Sequence, residues 1–170
     1  MKGFLLEIAA LFLMVSCNED TSALKQLQSE INSLNNQNDS LKKLVTKMKP
    51  GLGELMIGIQ IHHNKLWFAG REENWPLAQF EHDEIMEILE QAQTIETDRS
   101  EVKFFTQMIY PQLDTIQKAI KSKDVHQFSE SFNVLTNACN NCHKATHFEF
   151  NRIQTPERVP FSNQDFSTDN

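Results

Sequence analysis

The chain has 170 residues, and 23 acidic side chains against 16 lysines and arginines give it a formal net charge of -7. A net negative charge repels the phosphate backbone, so the composition argues against nucleic acid as a partner. With residues 1–49 set aside as N-terminal segments, about a hundred residues remain, which is enough for one compact domain.

Residues 1–17 have the features of a bacterial lipoprotein signal peptide. Lys2 supplies a positive charge, and the apolar run after it is too short to span a bilayer as a permanent helix. The run ends in Ser16-Cys17, a small residue followed by cysteine, as in a lipobox. We therefore expect lipid attachment at Cys17 and a protein held at the cell envelope, facing the periplasm or the cell surface. The alternative is an ordinary cleaved signal peptide, in which Cys17 has no role.

Residues 18–49 contain a polar spacer followed by a heptad pattern. Its positions recur in alternating steps of three and four residues at Leu24, Leu27, Ile31, Leu34, Asn38, Leu41, Val45 and Met48. One asparagine among partly β-branched a positions, with mostly leucine at d, is typical of a parallel two-stranded coiled coil. The pattern predicts a homodimeric stalk. The alternative is an extra amphipathic helix that packs on the chain's own domain.

Residues 52–147 show helical repeats of apolar side chains and no strand-like alternation. Lys49-Pro50-Gly51 precedes them, either as a hinge or as a kink in one continuous helix. Four helical segments are predicted: Leu52 to Ala69 with Gly70 as its C-cap, Pro76 to about Ile95, Ser100 as an N-cap through Ile120 with a division after Tyr110 at Pro111, and Asp124 onward. The economical all-α fold is an antiparallel four-helix bundle, and bundles hold cofactors between facing helices.

Cys139-Asn140-Asn141-Cys142-His143 is the strongest chemical motif in the chain. Two cysteines three residues apart, followed directly by histidine, form the attachment signature of c-type haem. On one helical turn the thiols project to the side where the two porphyrin vinyl groups can add to them, and the adjoining imidazole can bind the iron. A zinc site would need a second pair of ligands, and a thioredoxin-like pair would need strands around it. A disulfide between Cys139 and Cys142 remains an alternative.

The opposite side of the iron decides the function, and the sequence leaves it open. If the last helix of the bundle is antiparallel to the first, residues near the start of the first helix can reach the iron from the side opposite His143. Met56, His62 and His63 are the candidates for a sixth ligand, and His63 is favoured because it continues the apolar stripe. Such a ligand would give a six-coordinate iron suited to electron transfer, whereas an apolar residue would leave the iron open to small gases.

The remaining histidines and the C-terminal tail are assigned no ligand role. His82 and His126 lie on polar helix faces and are predicted to be exposed. Residues 148–170 form a polar tail that is either disordered or packed over the haem edge through Phe150, Ile153, Phe161 and Phe166.

Four helices with Cys-x-x-Cys-His near the end of the last one resemble the class II cytochromes c, which include cytochrome c prime. The likeness covers about residues 52–147. At finer grain, four stretches are similar to a group of small bacterial monohaem proteins: His63 to Gly70, Asn74 to Ala78, Cys139 to Thr146 and Pro160 to Phe166.

The resemblance implies thioether bonds from Cys139 and Cys142 to one haem c, with His143 as the proximal iron ligand. This chain departs from cytochrome c prime because His147 replaces a basic Arg or Lys, the bundle is shorter and a coiled coil precedes it. These departures argue against the gas-binding role typical of that family.

Taken together, the sequence predicts a monohaem c-type cytochrome that transfers single electrons at the cell envelope. We expect it to be lipid-anchored, dimeric through its stalk, partnered by redox proteins and not an enzyme. One alternative is a five-coordinate haem protein that binds NO or CO as a sensor or scavenger. Another is a haem-free stalked interaction module whose cysteines form a disulfide.

Overall fold

The structure, a computed structural model, describes the backbone of residues 2–168 and the side chains of residues 21–168. Over that range it is all-α, as predicted, with five α-helices and no strand. The helices are α1 (Lys2–Met48), α2 (Leu52–Arg71), α3 (Trp75–Ile95), α4 (Tyr110–Ser122) and α5 (Val125–Ala145), and a π-helical turn (Phe105–Ile109) directly precedes α4. The chain divides into two compact units, Met1–Lys49 and Pro50–Asn170.

The first unit is the single helix α1. From residue 21 onward its apolar heptad side chains are exposed, from 50 % at Ile31 to 74 % at Met48. The side chains of the predicted signal peptide, including Cys17, lie outside the described residues. No helix within the described residues is long and apolar enough to cross a membrane. α1 ends at Met48 and α2 begins at Leu52, so the predicted interruption at Lys49-Pro50-Gly51 is confirmed.

In the second unit each of the four helices packs against two others. α2 contacts α3 and α5, and α4 contacts the same two helices. The fully buried side chains that fill the space between them include Leu66, Leu113, Ile116, Phe128, Phe132 and Leu135. This core positions the end of α5, where the cysteine motif lies, beside the first turns of α2.

Two predicted helix ends, the start of α5 and the end of α2, have different outcomes in the structure. Asp124 caps α5 as predicted, because its Oδ1 accepts a hydrogen bond from the Gln127 N–H at 2.9 Å. The predicted C-cap role of Gly70 is wrong, since α2 continues to Arg71. Gly70 instead lies in the last turn of α2, where the ring of Phe128 occupies the space that a Cβ would need. The lack of a side chain at Gly70 therefore allows the Phe128 ring to pack closely against α2.

The segment that leads into α4 differs from the predicted helix. Ser100 lies in a turn and does not cap a helix. In the π-helical turn that follows, the Tyr110 N–H donates to the Phe105 carbonyl, and Pro111 then lies in the first turn of α4. Proline lacks an N–H and would clash with the carbonyl four residues earlier in a regular helix, so the wider turn accommodates it. The predicted division at Pro111 is confirmed, one residue earlier than expected.

The prediction that His82 is exposed is wrong. Its side chain is buried, with Nε2 3.2 Å from the Leu113 carbonyl oxygen and Nδ1 3.0 Å from Asp83 Oδ1. The polar residues around His82 suggested an exposed helix face, but α3 packs against both α2 and α4, so its buried face is wider than the sequence pattern indicates. Burial of this polar side chain is tolerated because both of its ring nitrogens have hydrogen-bond partners.

Candidate functional site

A cavity of about 350 Å³ lies beside the cysteine motif. This volume falls within the range of about 300–1,000 Å³ that is usual for pockets that bind small ligands and cofactors. Most of its wall is apolar and comes from Leu52, Met56, Ile57, Ile59, Phe105, Phe148 and Ile153. Its polar lining includes His63, Cys139, Cys142 and His143, so residues predicted from separate parts of the chain meet here.

Both cysteines of the motif are free thiols on α5 and both line the cavity. Burial raises the pKa of Cys139 to about 12. Burial also raises the pKa of Cys142, with a smaller contribution from the Glu101 carboxylate. Redox-active Cys-x-x-Cys pairs depend on a lowered cysteine pKa, so these directions argue against a thioredoxin-like site.

His143 presents an imidazole whose hydrogen position is determined by its partner. Its Nδ1 lies 2.6 Å from the carbonyl oxygen of Asn151. A carbonyl can only accept, so Nδ1 carries the hydrogen and donates, which leaves Nε2 as the basic nitrogen. The chain reaches this position because His147 adopts a left-handed conformation (φ 65°), and the Phe148 N–H then donates to the His143 carbonyl at 2.7 Å. Iron-binding histidines typically have such a partner on the other ring nitrogen.

His63 lies in the cavity wall, is only 4 % exposed and packs at a tilt against the ring of Phe132, with 4.3 Å between ring centroids. Its Nε2 is 2.9 Å from the hydroxyl oxygen of Thr136, and that hydroxyl donates to the Phe132 carbonyl. The Thr136 oxygen therefore accepts from Nε2–H, and Nδ1 keeps the free lone pair. Burial lowers the pKa of His63 to about 4, so the ring is neutral at neutral pH.

The structure separates the other ligand candidates. Met56 is half-buried and lines the cavity. His62 is directed to α3, where its Nδ1 lies 2.7 Å from Glu81 Oε2, and it is not part of the cavity wall. His126 is 84 % exposed over its side chain, as predicted. His63 and Met56 are thus the two predicted candidates that the fold brings to the cavity.

Two charged residues of the cavity were not identified from the sequence. Arg99 and Glu101 line it from the irregular segment between α3 and the π-helical turn, and Arg99 Nη1 lies 3.4 Å from Glu101 Oε1. A hydrogen bond from its own backbone N–H holds the pKa of Glu101 below its usual value, and Ser100 and Arg99 act in the same direction. The segment has no helical repeat, so nothing in the sequence indicated that it reaches the cavity.

The C-terminal tail packs on the second unit and supplies part of the cavity wall. Phe148 and Ile153 line the cavity, and Phe166 is buried against Phe68 with 5.7 Å between ring centroids. The Asn74 side chain also donates to the Phe166 carbonyl at 3.3 Å. Phe150, by contrast, is 81 % exposed. Of the four tail residues expected to pack over the haem edge, Ile153 lines the cavity, whereas Phe166 is buried on Phe68 outside the cavity wall and Phe161 is 41 % exposed.

Comparison with protein-family models, with curated proteins and with solved structures finds no match for this chain. Within the described residues, no three His, Cys, Asp or Glu side chains converge to hold a metal ion by themselves. The donor set does fit a covalently attached haem: two thiols three residues apart on one helix, a histidine with Nε2 free, and an apolar cavity beside them.

Proposed function

We propose that the chain is a monohaem c-type cytochrome, with an antiparallel four-helix-bundle domain, that transfers single electrons at the cell envelope. The observation that carries the proposal is that Cys139, Cys142 and His143 line one largely apolar cavity, with His143 Nδ1 engaged by the Asn151 carbonyl and Nε2 left as the free ring nitrogen. In this proposal the two thiols carry the thioether bonds and His143 Nε2 binds the iron. The haem supplies reversible one-electron redox chemistry when bound.

The chain's own residues would set the conditions for that chemistry. The apolar wall excludes water, which lowers the local dielectric and affects the reduction potential. Two lining side chains, Ile57 and Phe148, are 60 % and 41 % exposed, so the cavity reaches the protein surface. A cofactor edge near the surface is what electron exchange with a partner protein requires.

His63 is our proposed sixth ligand, because it lies in the cavity wall and is neutral at neutral pH. Binding through Nδ1 would preserve its hydrogen bond to Thr136, whereas binding through Nε2 would require that bond to be exchanged. Met56 is the alternative ligand and would raise the reduction potential.

A second candidate function is the binding of NO or CO by a five-coordinate iron. The observation that favours it is the hydrogen bond between His63 Nε2 and Thr136, which holds the ring by that nitrogen. If the ring keeps this position in the haem-loaded protein and Nδ1 does not reach the iron, the sixth position stays open.

Visible absorption spectra of the haem-loaded protein, oxidised and reduced, with and without CO, would decide between them. Six-coordinate iron predicts sharp reduced α and β bands that CO does not move. His63→Ala should then give a high-spin spectrum, whereas His126→Ala, which removes an exposed histidine, should leave the spectrum unchanged. A broad reduced band that shifts with CO would favour gas binding. Absence of covalently bound haem would overturn both functions and favour the haem-free interaction module.

We further propose that α1 pairs with a second copy of the chain as a coiled-coil stalk. Its heptad side chains from residue 21 onward are exposed in the single chain, and Asn38 occupies an a position, where it fixes register at a cost in stability. Asn38→Val should alter the oligomer size in analytical ultracentrifugation. A monomeric wild type that the substitution leaves unchanged would reject the pairing.

The lipid anchor at Cys17 is likewise a proposal, based on the lipobox pattern of the signal sequence. Cys17→Ser should move the protein from the membrane fraction to the soluble fraction. Retention of this variant in the membrane fraction would contradict lipid attachment at that residue.

A further inference from the structure

Asn140, the first of the two residues between the motif cysteines, holds the C-terminal tail against α5. Its Nδ2 donates to the Ile153 carbonyl and its Oδ1 accepts from the Ile153 N–H, both at 2.8 Å. One side-chain amide thus satisfies both backbone groups of a single tail residue. This two-point contact sets the position of the tail along α5 more strictly than a single hydrogen bond would.

The same tail segment supplies the hydrogen-bond partner of the motif histidine. The carbonyl oxygen of Asn151, two residues before Ile153, lies 2.6 Å from His143 Nδ1. Thr155, two residues beyond Ile153, donates to Asn133 Oδ1 at 2.8 Å and continues the attachment along α5. The contact of Asn140 with Ile153 lies between these two contacts, so its loss would free the tail at its centre.

We propose that Asn140 is a positioning residue for the proximal histidine. It holds the tail so that the Asn151 carbonyl accepts the Nδ1–H of His143, which fixes the ring and leaves Nε2 as the nitrogen available to the iron. A hydrogen-bond acceptor at Nδ1 makes Nε2 a stronger electron-pair donor to the iron, which favours the oxidised state. The inference rests on the proposed function, because it requires an iron at His143 Nε2.

Asn141 provides a matched control within the same motif. It is the same residue type, one position further along α5, and its exposed side chain makes no hydrogen bond to the tail among the described residues. Asn140→Ala and Asn141→Ala therefore differ in the tail contact and share the change in composition. Asn140→Leu is a second variant, which removes both hydrogen bonds to Ile153, keeps a side chain of similar size and adds no charge beside the haem.

The test is a redox titration of the haem-loaded full chain and the three variants. Asn140→Ala should shift the reduction equilibrium constant about tenfold toward the reduced iron, which corresponds to about 59 mV for one electron. Asn140→Leu should shift it in the same direction, and Asn141→Ala should match the wild type. If Asn140→Ala does not fold, Asn140→Leu decides the comparison. Equal potentials for the folded Asn140 variant and Asn141→Ala would overturn the inference.

A second measurement uses the wild type alone. The His143 Nδ1 proton and the Ile153 amide proton should both be protected from solvent exchange in NMR spectra, because each donates a hydrogen bond at the tail. Exchange of the His143 Nδ1 proton at the solvent-limited rate would overturn the inference. The proposed function is tested separately by the pyridine haemochrome assay for covalent haem, and a positive assay would still support it. A wild type without covalent haem would overturn the proposed function itself.

Discussion

Acidification should destabilise the second unit through His63. Burial lowers the pKa of this residue from 6.5 to about 4, so the unfolded chain takes up a proton at a higher pH than the folded chain does. The stabilisation that comes from keeping the ring neutral is therefore complete above pH 6.5 and is lost as the pH falls toward 4. At about 1.36 kcal/mol per pH unit, this difference amounts to roughly 3 kcal/mol between pH 7 and pH 4.

The prediction is measured by urea unfolding at pH 7 and pH 4 in a Cys139→Ala/Cys142→Ala chain. This chain cannot attach haem, so iron does not compete with the proton for His63. In this background His63→Leu should lose about 3 kcal/mol less unfolding free energy on acidification than the unsubstituted residue does. The substitution leaves no buried donor unpaired at Thr136, because that hydroxyl still donates to the Phe132 carbonyl.

The exposed His126 supplies the control for the same titration. His126→Leu should retain the full loss of stability between pH 7 and pH 4, because it leaves the buried His63 unchanged. If His63→Leu and His126→Leu lose the same unfolding free energy between pH 7 and pH 4, buried His63 does not resist protonation and the prediction is refuted.

Further substitutions test a close packing contact, a buried ion pair and a helix cap in the second unit. Gly70→Ala should lower the unfolding free energy by about 1–3 kcal/mol, because a methyl group there overlaps a buried phenylalanine ring. Gly53→Ala meets nothing within 4 Å and should be neutral or stabilising by up to about 1 kcal/mol, so equal effects in urea unfolding would contradict the packing argument. Lys65→Met should lower the unfolding free energy by roughly 2 kcal/mol, because Lys65 Nζ lies 3.1 Å from the fully buried Glu81 carboxylate. Adding Glu81→Gln to this variant should recover part of the loss. If the effects of the two substitutions simply add in a double-mutant cycle, the pairing is refuted. Asp124→Ala should cost about 1 kcal/mol through loss of the α5 cap, and an unchanged thermal midpoint would refute that role.

The sequence by itself determined the features that depend on near neighbours along the chain. Residues three and four apart lie on the same side of a helix, so the heptads of α1 and the Cys139 and Cys142 pair were readable from spacing alone. Asp124 as a cap and Pro50 and Pro111 as helix breaks follow from backbone chemistry that acts within one turn. Each of these features is local, and the structure agrees with the helix cap and both breaks.

The tertiary structure decided what depends on residues far apart in the chain. His63 could be placed on an apolar stripe, but its partner Thr136 is 73 residues away, and only packing brings the two together. His82 and Gly70 were misassigned because the surfaces they meet belong to other helices. The tail was left undecided between disorder and packing for the same reason: its position follows from the contact of Asn140 with the Ile153 backbone, and no periodic pattern in the sequence encodes which backbone group a side-chain amide will meet.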